Sequence, residues 1–334
     1  MRSRKAAGSL DILGENGTAL VGKPEGVSGF HHEAVFYAGD EEYLAGLLPD
    51  LRAVLDTGGA VLVAVCEDKV ALLAAALGED AGRVRFADME QLGRNPACII
   101  PAWRDFLGDA GPGPILGIGE PVWPGRSEAE LIECRRHESL LNLAFDGGGP
   151  WRLLCPYDVS ALPPDVLADA RHNHPHVSRG GVSVRCDDYV DPPTVLSWDG
   201  ALPAPAADPA ELLFTRGDLG LVRTFVSEHA ARAGFGTERL SDLVLAVNEL
   251  ATNAMRHGGG RGRLRVWQEN GTFLCEVADR GAIADPLAGR ERPSDVRGGG
   301  RGLWLVNHLC DLVQVRSLPG GNVIRVHMSL DGAS

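Results

Sequence analysis

The stretch "LAVNELATNAMRHGGG", residues 245–260, constrains the fold of this chain more than any other. Glu249, Asn253 and His257 recur at four-residue intervals, so a helix stacks them on one face. Leu243, Val247, Leu250 and Ala254 fall on the other side as an apolar stripe. Such a helix buries one face in a core and turns a carboxylate, an amide and an imidazole toward something polar. Gly258, Gly259 and Gly260 then end it.

The rest of the chain supplies the setting. With 334 residues, 44% of them hydrophobic and 23% charged, it is long enough for two globular domains. A net charge of −13 leaves no electrostatic footprint for direct nucleic-acid binding or for an anionic membrane surface. The seven cysteines are scattered and never form C-x-x-C, which fits reduced, mostly buried thiols rather than disulfides or zinc. No apolar run approaches the roughly 20 residues of a membrane helix. The basic start, "MRSRKAAGSLDILGENG", lacks the apolar segment of a signal peptide. The expectation is a cytoplasmic protein with a loose tail over residues 1–27.

The clearest break is "DGALPAPAADPAEL", residues 199–212, whose three prolines make a stiff connector between domains at 28–198 and 213–330. Before it, apolar runs at 33–37, 60–66, 84–88, 114–119 and 151–158 alternate with helical stretches. That order predicts an α/β domain with a parallel sheet and helices on both faces. After the connector come helices at about 217–233 and 238–257, then strands "RGRLRVWQE" and "TFLCEVAD" joined by an Asn270-Gly271 hairpin. A loop, a helix near 302–311 and two further strands complete a two-layer α+β pattern.

Three pieces of this second domain suit ATP together. The helix offers Glu249 and Asn253, and an Asn carbonyl is a hard oxygen ligand for Mg²⁺. "DRG", Asp279 to Gly281, ends an apolar strand, where an aspartate accepts a hydrogen bond from an exocyclic amine. "RGGGRGLWLVN", residues 297–307, runs glycines into a helix whose unpaired amides and dipole favour phosphates. The charged, Pro- and Gly-bearing segment 282–297 between the last two reads as a mobile lid. Trp304 and Leu305 read as core.

"NELATNAMRHGGG", "DRG" and "GGGRGLWLVNHLCD" resemble the N box and glycine boxes of the GHKL (Bergerat-fold) ATPases, and most closely the anti-sigma-factor serine kinases. The resemblance implies Asn253 as Mg²⁺ ligand, Asp279 as adenine contact, and Gly281, Gly298, Gly300 and Gly302 around the nucleotide. It also implies Glu249 as general base for a substrate serine. His257 suits a helix C-terminus as well as a nucleotide contact, and Arg301, like Arg297, suits solvent as well as phosphate. The implied partners are a sigma factor and a STAS-type anti-anti-sigma protein, and a homodimer is implied by the resemblance alone. The alternatives are an ATP-gated binding module without catalysis, or a sensor histidine kinase. The last needs a phosphoacceptor histidine, and His137 in "RHESLLN" reads instead as a helix-surface residue.

The first domain contains no G-x-x-x-x-G-K-[ST], so it is not a P-loop NTPase. "HHEAVFYAGDEEYLAGL", "LLCPYD" and "HPHV" resemble the MEDS sensory domain of bacterial signalling proteins. That resemblance implies a RecA-like sheet without its phosphate loop, and a small-molecule input. Glu120 falls at the carboxyl edge of a strand, where open α/β sheets bind ligands. His31 and His32 precede the predicted first strand, and "RHNHPH", residues 171–176, holds three more histidines. No cysteine or carboxylate stands at ligand spacing from them, so they read as helix-end and loop residues rather than a metal centre. Cys155 reads as an inert strand thiol.

Overall fold

The structure is a computed structural model that describes residues 29–179, 181–206, 208–293 and 300–330. The tail 1–27, together with Arg297 and Gly298, lies outside the described residues. The N-terminal body runs β1 (Phe30–Tyr37), α1 (Gly39–Asp56), β2 (Ala60–Val65), α2 (Glu67–Leu77), β3 (Arg85–Asp88), α3 (Met89–Leu92), α4 (Ile99–Asp109) and β4 (Ile115–Gly119). It continues through α5 (Glu128–Ala144), β5 (Trp151–Asp158), α6 (Pro164–Asn173), β6 (His176–Arg179), β7 (Val182–Arg185) and α7 (Pro192–Ser197). The C-terminal domain runs β8 (Ala210–Thr215), α8 (Leu219–Ala233), α9 (Thr237–His257), β9 (Arg261–Glu269), β10 (Thr272–Asp279), α10 (Arg301–Leu309), β11 (Leu312–Leu318) and β12 (Gly321–Ser329).

The N-terminal sheet has seven strands in the order β3-β2-β4-β5-β1-β6-β7, parallel except for β7 on the edge. Its central strands are nearly continuous apolar runs because helices cover both faces. Trp103, Phe145 and Trp151 fill one side, and Tyr43, Leu47 and Leu51 fill the other. "ILGIG" in β4 carries two glycines for a packing reason: a Cβ at Gly117 or Gly119 would come within 2.9 Å of the Trp103 ring. A capping box of Ser127 and Glu130 starts α5. β1 begins at Phe30, so His31 and His32 lie inside the strand rather than before it.

The C-terminal sheet is antiparallel, order β11-β12-β10-β9-β8, with α8, α9 and α10 on one face. The hairpin at Asn270 and Gly271 has φ of 49° and 76°, the left-handed pair that a two-residue turn needs. The stripe of Leu243, Val247, Leu250 and Ala254 is fully buried under the sheet. Residues 210–212, within the predicted connector, instead form the start of β8, because their alternating side chains pair with β9. Pro203 of the connector lies at the sheet's other face, where Arg325 donates to its carbonyl at 2.7 Å. There Glu276 is buried between Arg265 and Arg325, so each of its oxygens has a cation.

The two domains pack closely. Asn95 donates to the Asn307 carbonyl of α10 at 2.9 Å, and Asn307 donates to the Gly289 carbonyl at 2.8 Å. Residues 287–292, part of the predicted mobile lid, are tied to the N-terminal body. Leu287 joins its core, Arg290 pairs with Glu133, and Arg292 donates to Asp105 at 2.9 Å. Charge and glycine content suggested a loose loop; the complementary charges lie on the other domain, which sequence order hides. No helix among the described residues is long and apolar enough to cross a membrane.

Candidate ATP-binding site

Glu249 and Asn253 lie half-buried on one face of α9, as the four-residue spacing requires. What meets them is the first turn of α10. A Cβ placed on Gly302 would stand 3.0 Å from Glu249 Oε2 and 3.1 Å from Asn253 Nδ2. Glycine lets the N-terminus of α10 come this close without displacing either polar side chain. Gly300 caps that helix at φ +90°, a left-handed conformation that an L side chain rarely adopts, and Arg301 opens it at the surface. The amides of the first turn have no partner within their own helix, so the Glu249–Asn253 face adjoins a positive helix end.

At the other end of the site, Asp279 is locked by its own loop. Its Oδ1 accepts from the Gly281 backbone N–H at 2.7 Å and from Asn322 Nδ2 at 2.9 Å. Both donors use the same oxygen, and no described residue donates to Oδ2. The carboxylate is therefore oriented, with one oxygen available to an outside donor. Gly258 is as necessary as Gly281, since a Cβ there would lie 2.5 Å from Asp279 Cβ. The Arg280 N–H donates to the Gly258 carbonyl at 3.1 Å, fastening the end of α9 to the end of β10. His257 brings its carbonyl, not its imidazole, against Gly281; the ring itself is exposed.

Sequence reasoning passes over Asn322 and Gly258. The first sits in β12 with no motif around it, and the second reads as one of three stop glycines. Trp304 and Leu305 are only half-buried; the core face of α10 is Leu303 and Val306. His137 corrects its expectation too. It is 1% exposed in α5, and burial pushes its imidazole down to about 3, so it is neither a surface residue nor an accessible phosphoacceptor.

In the N-terminal domain a cavity of about 330 Å³ opens at the carboxyl ends of β1, β2, β4 and β5. Tyr37, Lys69, Glu120 and Asp158 line it. Tyr37 donates to Glu120 Oε1 at 2.8 Å, while Glu120 Oε2 is buried without a partner. This is the edge at which Glu120 was expected to face a ligand. His31 and His32 take no part in it: His31 stacks on His176, and His32 points into the opposite layer.

Comparison with known proteins accounts for both halves. The model of the MEDS domain (methanogen/methylotroph, DcmR sensory domain) matches residues 31–175, and that of the histidine kinase-like ATPase domain matches residues 212–328. The serine-protein kinase RsbW of Halalkalibacterium halodurans is 31% identical over 114 residues, 30% of this chain and 70% of that protein. The chain belongs to the RsbW serine-protein kinase family. RsbW of Bacillus pumilus is 30% identical over 123 residues, covering 31% of this chain and 75% of its own. Among solved structures, the RsbU and RsbW domains of a Mycobacterium tuberculosis protein align at 20% identity and a TM-score of 0.28, over 36% of this chain and 32% of that one. The region matched by the histidine kinase-like ATPase domain, residues 212–328, contains α9, the Asp279 loop and α10, and the MEDS match precedes it.

Proposed function

We propose that this protein is an ATP-dependent serine-protein kinase and anti-sigma factor, acting on a STAS-type anti-anti-sigma protein under control of its N-terminal sensory domain. The observation that carries the reading is the seating of Gly302 on Glu249 and Asn253. It sets a carboxylate, a carboxamide and a helix N-terminus side by side, while Asp279 stands ready for a base at the other end.

The residues fit a Mg-nucleotide. Asn253 Oδ1 is a hard oxygen donor, and the gap at Gly302, which a Cβ would fill, borders it at 3.5 Å. Mg²⁺ held by Asn253 would neutralise phosphate charge. Asp279 Oδ2 accepts the adenine amine, and the α10 amides, with Gly300 and Arg301, face the phosphates. Glu249 orients the substrate serine and takes its hydroxyl proton as the serine oxygen bonds to the γ-phosphorus. The bond to the β,γ-bridging oxygen breaks, and ADP leaves. Control by the sensory domain is supported by the segment after Asp279, which is anchored through Leu287, Arg290 and Arg292 in that domain.

The test is label transfer from γ-labelled ATP, with Mg²⁺, by the full chain into proteins of a source lysate. An acid-stable label on a small protein, lost in Glu249→Ala while ATP binding persists, is expected. ATP binding with no transfer would overturn the kinase assignment and leave a nucleotide-gated partner-binding protein. An acid-labile label would point to histidine phosphorylation instead.

A further inference from the structure

Between the N-terminal sheet and helices α5 and α6 lies a cluster that the ATP reaction does not use. His32 from β1, Glu138 from α5, Cys155 from β5 and His174 at the end of α6 are each 1% exposed or less. One donor atom from each lies within 4.8 Å of all the others. His32 Nε2 is 3.1 Å from Glu138 Oε2 and 3.4 Å from Cys155 Sγ; His174 Nε2 is 3.2 Å from the same Glu138 oxygen. We propose that these four side chains form a closed tetrahedral site for a divalent transition metal ion, zinc by the chemistry of the donors, within the sensory domain.

The surroundings of both imidazoles fix their tautomers. His174 Nδ1 faces the Ala170 carbonyl at 2.7 Å, which only accepts, so Nδ1 bears the proton. His32 Nδ1 faces Asn142 Oδ1 at 3.1 Å. The orientation of that amide is fixed, because Asn142 Nδ2 donates to the Asn173 carbonyl at 2.8 Å. His32 Nδ1 therefore also bears the proton. Each neutral ring is left with a bare Nε2 close to one carboxylate oxygen, and His174 Nε2 is buried with no hydrogen-bond partner. Lone pairs facing an anion in a dry interior are unstable without a cation between them. Protons balance the cluster only with one on Glu138 toward His174 and the Cys155 S–H, a weak donor, toward His32 at 3.4 Å.

A divalent ion resolves all four groups. With Glu138 as carboxylate and Cys155 as thiolate, the site is electrically neutral. Zinc prefers such nitrogen, sulfur and oxygen donors, and at its usual bond lengths of about 2.0–2.3 Å tetrahedral donors stand about 3.3–3.8 Å apart, near the 3.1, 3.2 and 3.4 Å found here. Binding releases the Cys155 thiol proton to solvent. Asn142 and the Ala170 carbonyl orient the two imidazoles, the usual supporting role for groups behind metal-bound histidines. The four ligands come from β1, α5, β5 and α6, so the ion would staple the sheet to the helix that contacts the ATP domain through Glu133.

The full chain, stripped with chelator and dialysed, would be titrated with Zn²⁺ alone and with Co²⁺ alone. About one equivalent of tight binding per chain is expected, together with a thiolate-to-cobalt charge-transfer band that Cys155→Ser removes. Asn142→Ala should weaken affinity about 10–100-fold, and His176→Ala should not change it. Uptake well below one equivalent by wild-type protein with a native circular-dichroism spectrum would overturn the proposal. So would a charge-transfer band that persists in Cys155→Ser. The stoichiometry is read on the unaltered chain, so a variant that fails to fold leaves it decisive.

Discussion

Arg290, on the segment that leads from Asp279 toward α10, is buried against Glu133 of α5 at 3.4 Å, so the ATP domain is pinned to the sensory domain by a buried ion pair. Glu133 serves a second cation from the same domain, Arg316 of β11, at 2.8 Å. Burial pulls the Arg290 guanidinium down to about 10 and Glu133 opposes that, so it stays charged at neutral pH. The two partners are not equivalent. Removing Glu133 leaves both arginines buried without their carboxylate, whereas removing Arg290 leaves Glu133 still held by Arg316.

Glu133→Gln is therefore expected to destabilise the chain by about 3–5 kcal/mol, the cost of an uncompensated buried charge. Arg290→Met should cost clearly less. Urea unfolding followed by circular dichroism measures both. Equal losses would mean that the arginine pair does not depend on Glu133.

Gly302→Ala separates stability from binding. In the first turn of α10 an alanine is intrinsically the better helix former, by roughly 0.5–1 kcal/mol. Its Cβ, however, would crowd Glu249 Oε2 and Asn253 Nδ2 at 3.0 and 3.1 Å. The melting temperature should stay level or rise while ATP affinity falls at least about tenfold, about 1.4 kcal/mol. Calorimetric titration of a variant that melts normally but binds ATP as wild type does would remove Gly302 from the site.

Most of this architecture is legible in the sequence wherever local pattern decides structure. The Leu243–Ala254 stripe, the Asn270-Gly271 turn and the alternating strands and helices all rest on short-range periodicity. Contacts that depend on distant residues are not legible in this way. His32 and His174 are 142 positions apart in the chain and meet only because β1 lies beside β5 and beneath α5 and α6. Glu138 follows a histidine that drew attention as a phosphoacceptor candidate, and its own role needs the sheet order. Asn322 likewise acquires meaning only when β12 pairs with β10 and sets it beside Asp279. The segment 287–292 reads as solvent-facing because the partners of its charges, Glu133, Arg104 and Asp105, lie far away in the sequence.

Asp279→Asn should change which base is accepted. The amide oxygen would take the place of Oδ1 under Gly281 N–H and Asn322 Nδ2, turning the amide nitrogen toward the ligand. A donor would then face the adenine amine, also a donor. ATP affinity should drop by about 1–3 kcal/mol, and inosine triphosphate, with a carbonyl at that position, should lose far less. Competition between the two nucleotides measures the switch. An unchanged preference for ATP would show that Asp279 does not read the base.

Glu120 makes stability pH-dependent. Burial holds its carboxyl up at about 7 against an ordinary 4.5; the Tyr37 hydroxyl and nearby Lys69 oppose the rise, while Asp68 and Asp158 reinforce it. Between those values the folded state keeps a proton that the unfolded chain has released. The contribution is thus complete below pH 4.5, declines as pH rises, and is lost through 7. Its size is on the order of 3 kcal/mol. Glu120→Gln, a permanent stand-in for the neutral acid, removes this slope, so the stability difference between variant and wild type should grow from about pH 5 to about pH 8. Urea unfolding across that range reads it directly. A difference independent of pH would mean that Glu120 is ionised throughout, and that the cavity above the sheet holds a carboxylate rather than a neutral acid.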